Sequence, residues 1–216
     1  MPPAPTDPEL ALAARTWRLA MLTTADPNLA RRALSALAPV PPSQPLTIDR
    51  IDRLAIQAIR RVGPPARRRN LAQSDDAPDP TPDQPPPNAP LHSLGPAHDV
   101  IARQPLQAAE AFVLRRLDDL DAIRACRAMD CSRSAAERFL ERAESALATE
   151  LGHDQATAAI RGLRARAEAL TPSPDVVATC LERAHARHKA RITIWLVSIA
   201  GALLVAFLAL AAVAAR

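Results

Sequence analysis

The run ITIWLVSIAGALLVAFLALAAVAA, residues 192–215, constrains this chain more than any other feature. It holds 24 residues without a formal charge. As an α-helix rising ~1.5 Å per residue it would reach roughly 36 Å, enough for a hydrocarbon core of about 30 Å. RAHARHKAR stands before it, with Arg183, Arg187, Lys189 and Arg191, and only Arg216 follows. Retained positive charge marks the cytoplasmic side, and Trp195 sits where an interfacial aromatic belongs. A buried core helix is the alternative, but the run is long and uniform for one. The sequence therefore predicts a C-terminal transmembrane helix over 192–215. It predicts a tail-anchored, single-pass protein of the cytoplasmic membrane with its N-terminal bulk in the cytoplasm. MPPAPTDPEL has neither a basic n-region nor an apolar h-region, so no signal peptide is expected.

Composition decides what the remainder can be. Ala and Leu dominate, β-branched residues are few and there are 5 Gly, so the ordered parts should be helical. With 3 Phe, 2 Trp and no Tyr, any core is small and aliphatic. Cys126, Cys131 and Cys180 form no CxxC pair and no disulfide framework, which points to free thiols in a reducing compartment. Lys189 is the single Lys beside abundant Arg, a coding bias more than a nucleic-acid stripe. The net charge is +4, yet residues 101–152 carry −1, from 8 Arg minus 9 Asp and Glu.

Periodicity divides the chain into blocks. Residues 8–62 hold three amphipathic segments. Leu12, Leu19 and Leu22 mark the first, and Leu29, Ala33, Leu34 and Leu37 the second, which Pro27 starts afresh. The third runs from Thr47 to Val62 with Ile48, Ile51, Leu54, Ala55, Ala58 and Ile59 as its stripe. Residues 63–100 hold ten prolines and the triple Arg67–Arg69. They read as a disordered linker too polar to bury a core, and the arginines read as a solvated charge run. Residues 101–151 resume helical spacing: Gln104–Leu117 with Leu106, Ala109, Val113 and Leu117 on one face, then Leu120–Met129, a turn at Asp130 and Cys131, and a longer helix capped by Ser132 or Ser134. SAAE at 134–137 matches a capping box. Ala136, Leu140, Ala143 and Leu147 form the expected buried stripe, with Glu137, Arg138, Glu141 and Ser145 outward. Residues 152–191 form juxtamembrane helices, one over 153–170 capped by Asp154, the next from Val176 capped by Asp175.

A short helix, a tight turn and a longer helix suit a helix-turn-helix, although any αα-hairpin shows the same pattern. LDDLDAIRACRAMDCSRSAAERFLERAESAL resembles region four of extracytoplasmic-function sigma factors through Leu120, Cys131, Ser132, Leu140, Arg142, Ala143 and Leu147. ARTWRLAMLTTADPNLARRALSAL is similar to region two of that family through Arg18, Leu19, Ala20, Asp26, Pro27 and Ala30, and LAIQAIRRV at 54–62 resembles the end of the same region. Together the resemblances cover residues 9–62 and 103–151, in the family's order. They imply an all-α chain of two small helical domains, region-two-like and region-four-like, joined by the linker and followed by the anchor.

The same resemblance implies function. A membrane-tethered, sigma-like transcription regulator would bind promoter DNA through Arg133, Ser134, Ala135, Glu137, Arg138 and Arg142. It would bind core RNA polymerase through the stretch at Arg32, Leu34 and Ser35. The chain departs from the family at both places. Glu137 and Phe139 stand where the family has basic residues, Asp130 stands at its turn glycine, and Arg32 reverses an acidic docking position. The alternative is a tail-anchored helical adaptor or sequestering protein that keeps the fold without reading DNA or polymerase. A regulatory protein or a releasing protease would be further partners. His185 and His188 share a helix face but lack the further ligands of a zinc site, so no metal or other cofactor is expected. No GxGxxG, P-loop, GxSxG or HExxH occurs, and no enzyme activity is expected.

Overall fold

A computed structural model of the protein describes residues 7–38, 46–63 and 93–214, with side chains up to residue 202. Among these residues the chain is all-helical. The helices are α1 (Asp7–Thr24), α2 (Pro27–Ser35), α3 (Ile48–Val62), α4 (Pro96–Arg103), α5 (Leu106–Phe112), α6 (Ala122–Met129), α7 (Arg133–Leu151), α8 (His153–Glu168) and α9 (Pro174–Ala214). A π-helical turn, Val113–Leu117, prolongs α5.

Local chemistry sets the starts. Asp26 caps α2, its carboxylate accepting from the N–H of Asn28 at 2.8 Å, with Pro27 at the first helical position. Thr47 caps α3 by accepting from the N–H of Arg50. Gly152, at φ +76°, separates α7 from α8. α8 already begins at His153, so Asp154 lies in the first turn and the cap expected from it does not form. Ser173, not Asp175, caps α9, its hydroxyl accepting from the N–H of Val176.

α5 is the hub. The stretch Gln104–Leu117 was expected to show one apolar face, but the helix starts only at Leu106, and Ala108, Ala109, Glu110, Ala111, Phe112, Val113 and Leu114 are all buried. Burial on every side follows from its place among α1, α4, α6 and α7. Residues of the two sequence blocks share one apolar cluster. Leu19, Leu22, Ile56 and Ile59 from the first belong to the same apolar cluster as Phe112, Leu114, Met129 and Leu147 from the second. The reason is area: three short helices leave α1 and α3 with an apolar face that only the second block can cover.

Charge reinforces the joint. Arg60 of α3 grips Glu110 of α5 with Nε 3.1 Å from each carboxylate oxygen and Nη2 2.5 Å from Oε2, while Nη1 donates to the carbonyl of Met129 at 2.8 Å. Burial pushes the Glu110 carboxyl up and the Arg60 guanidinium draws it back. A second cluster joins α1, α3 and the end of the π-turn: Arg15 meets Asp52 at 2.6 Å and Asp118 at 2.9 Å, and Arg18 meets Asp118 at 3.2 Å. Burial raises the Asp52 carboxyl against the pull of Arg15.

The C-terminal end of the linker expected over 63–100 is helical. Gly63 ends α3 with its N–H on the carbonyl of Ile59, residues 64–92 lie outside the described residues, and α4 begins at Pro96. Within α4, Ala97, His98, Val100 and Ile101 are buried. His98 Nε2 donates to the carbonyl of Met21 at 2.9 Å, and Nδ1 accepts from the N–H of Leu94 at 3.0 Å. Those roles fix one neutral tautomer.

The expectation of a membrane-spanning helix over 192–215, and with it the placement in the cytoplasmic membrane, is not met. Among the described residues no helix is long and apolar enough to cross a membrane. α9 is 41 residues long, but Val177, Cys180, Leu181 and Ala184 are buried in the body and the next turns carry Arg187, Lys189 and Arg191. The apolar side chains that follow, residues 192–202, cover a rise of only about 16 Å. The side chains beyond lie outside the described residues.

Candidate nucleic-acid interface

The α6–turn–α7 unit carries the residues the sequence nominated. Asp121 caps α6, its carboxylate accepting from the N–H of Arg124 at 2.8 Å, and that hydrogen bond holds the Asp121 carboxyl below its usual range. Ala125, Ala128 and Met129 bury one face of α6. The helix stops at Asp130, which adopts the left-handed conformation at φ 53° and ψ 49°. The N–H of Cys131 reaches back to the carbonyl of Cys126 at 3.1 Å and that of Asp130 to Arg127 at 3.3 Å. This is a Schellman closure, with Asp where glycine is commonest.

Ser132, extended at φ −70° and ψ 155°, then caps α7, its hydroxyl accepting from the N–H of Ala135 at 3.2 Å. The capping box predicted at 134–137 does not form, because the helix starts two residues earlier. Ser134 already lies in the first turn, with its hydroxyl 3.2 Å from that of Ser132. Glu137 turns to Arg133, whose Nε is 2.8 Å from Oε1. Ala136, Ala143 and Leu147 are buried as expected, while Leu140 is half-buried.

The unit has a rigid backing. Arg124 Nε lies 2.9 Å from Asp49, Arg53 Nη2 lies 3.1 Å from Asp130, and Arg60 holds the last carbonyl of α6. α3 therefore fixes both the first helix and the turn. Arg133, Ser134, Glu137, Arg138 and Arg142 are exposed on the opposite side, and Ala135 is half-buried beneath them. Arg138 and Arg142 have no ion-pair partner among the described residues, whereas Arg133 is engaged by Glu137.

Sequence reasoning missed the cations on the α3 side of the unit. Arg50, Arg53 and Arg127 line a cleft of about 710 Å³ between α3 and α6, together with Asp49 and Asp130. Arg127 stood in the nominated stretch, but only the docking of α6 on α3 reveals that it points outward. Cys126 and Cys131 are free thiols at the same place. Burial pushes the Cys131 thiol up, with Arg60 opposing, so it is not an activated nucleophile.

The residues expected to meet polymerase are placed differently. Arg32 is exposed and lies 3.9 Å from Asp26, but Leu34 and Ser35 are buried where α2 packs between α1, α3 and α9. His185 pairs with Glu9 of α1 at 3.0 Å. Among the described residues no group of three His, Cys, Asp or Glu side chains stands close enough to hold a metal ion.

Comparison with known protein families, with curated proteins and with solved structures finds no match.

Proposed function

We propose that the chain is a helix-turn-helix protein that binds duplex DNA through the N-terminal half of α7, in the manner of a sigma-like transcription regulator. The observation that carries this reading is the contrast between the two sides of the unit. α6 and the turn are locked onto α3 by Arg60, Arg53 and Arg124, while Arg133, Arg138 and Arg142 are exposed at the start of a capped helix. A rigid scaffold that presents arginines from a helix N-terminal half suits phosphate and groove contact. Contact with RNA polymerase through α2 receives less support, since of its three nominated residues only Arg32 is accessible.

One observation favours a second reading, a helical adaptor that binds protein and not DNA. Glu137 neutralises Arg133 across one turn, and Glu141 is exposed beside Arg138 and Arg142, so the face carries nearly balanced charge. Titration of the full chain with duplex DNA over a range of salt decides between them. Arg138→Ala should weaken binding and lower the slope of log affinity against log salt by about one unit, and Glu137→Lys should strengthen binding. An affinity that does not depend on salt, which Glu137→Lys leaves unchanged, would assign the face to protein contact.

A further inference from the structure

At the far end of α7 from the proposed reading face, α7, α8 and the π-turn enclose a recess of about 460 Å³, the size of a small-molecule site. Its floor is carbon: Leu147 and Ala148 from α7, Ala156 and Ile160 from α8. Its rim is cationic, and the way its charges are used decides what it would accept. Arg116 is paired with Glu144. Arg164 Nη2 lies 2.5 Å from Asp119 Oδ1 and 2.6 Å from the carbonyl of Arg116. Both rim carboxylates are therefore taken. Arg161 has no ion-pair or hydrogen-bond partner among the described residues, and Arg115 spends one N–H on the carbonyl of Leu120.

The backbone is bent to make this rim. In the π-turn the N–H of Asp118 bonds the carbonyl of Val113, Asp119 takes a left-handed φ of 52°, and Arg164 satisfies the carbonyl of Arg116. A π-turn inserts a residue into the helical register and is frequently found at functional sites. Here it sets Arg115 and Arg116 side by side at the mouth of an apolar hollow.

We propose that this recess binds a small anionic amphiphile, a monocarboxylic acid with an apolar body of medium length. The body lies on Leu147, Ala148, Ala156 and Ile160, and the carboxylate meets the guanidinium of Arg161 with Arg115 beside it. A cation would meet only carboxylates already paired. A phosphate-rich anion would gain nothing from the carbon floor. The inference is independent of DNA binding.

Isothermal titration of the full chain with octanoate, octan-1-ol and acetate tests it. Octanoate should bind saturably at one site, more tightly than octanol, and acetate should not bind measurably. Arg161→Ala should weaken octanoate at least tenfold and leave octanol unchanged. Ala148→Phe, which fills the hollow, should abolish octanoate binding, with far-UV circular dichroism and the thermal midpoint confirming that the variant is folded. Octanoate binding that does not saturate, acid and alcohol of equal affinity, or a folded Ala148→Phe that binds like the parent chain would each overturn the proposal.

Discussion

His98 is a neutral imidazole buried between Leu94 and Met21. Burial, the largest influence, depresses its pKa, and the hydrogen bond with the Met21 carbonyl only partly opposes that. The unfolded chain takes up a proton near pH 6.5, whereas the folded chain resists until the pH is lower. The unfolded state then binds more protons, so stability must fall as the pH drops through that window, by at most about 1.4 kcal/mol per pH unit. Urea unfolding at pH 7.5 and 5.5 should show this loss, and His98→Gln should show a smaller one. An equal loss in the variant would assign the acid sensitivity to other groups. Asp130 offers a second test at this scale. Its left-handed backbone costs a residue with a Cβ about 1 kcal/mol, and its exposed pair with Arg53 returns only a few tenths. Asp130→Gly should therefore stabilise the protein by about 0.5 kcal/mol in chemical denaturation. A destabilised variant would mean that the Arg53 contact matters more than the strain.

At the scale of elements, the start of α7 decides which side chains face outward. With Ser132 as cap, Arg133 and Glu137 lie one turn apart on the exposed face. A start at Ser134 would have drawn Glu137 back onto the backbone. Ser132→Ala should cost about 1 kcal/mol, in the range found for lost caps, whereas Ser134→Ala should cost a few tenths at most. Thermal or urea unfolding of the two variants measures the difference directly, and equal losses would place the cap elsewhere. The same element shows why spacing misleads. Any Ser followed by Glu three residues on scores as a capping box, but the cap goes to the residue whose backbone is extended. That was fixed by the Schellman closure at Asp130, two residues before Ser132.

For the whole molecule, one core implies one transition. Trp17 lies in α1 and packs against the shared cluster, whereas Trp195 is exposed on α9. In a Trp195→Phe background, fluorescence therefore reports the first block alone, and far-UV circular dichroism reports all helices. The two unfolding curves should coincide in urea, as they do for a cooperative unit. Arg60→Ala, which strands the buried Glu110 carboxylate, should cost about 3–5 kcal/mol and shift both curves together. Curves that separate would mean that α1–α3 and α4–α8 unfold as independent domains.

Helical class was legible in the sequence because it rests on local terms: abundant Ala and Leu, scarce Gly, and apolar residues at helical spacing. The boundaries of α1, α2, α3, α6 and α7 were likewise close to the spans their periodicity and caps suggested, and so was the outward aim of Glu137, Arg138, Glu141 and Ser145. Tertiary packing decided the rest. A helix buried on all sides has no stripe to read, so in the sequence α5 and its π-turn look like an ordinary amphipathic segment. α4 was lost in a Pro-rich stretch, because its eight residues are held by His98 and the core more than by propensity. The burial of Leu34 and Ser35, the outward aim of Arg127, and the joining of two blocks through Arg60 and Glu110 separated by fifty positions all depend on which helices meet. Spacing along one helix fixes which residues share a face, and only the neighbouring helix determines whether that face is open to solvent.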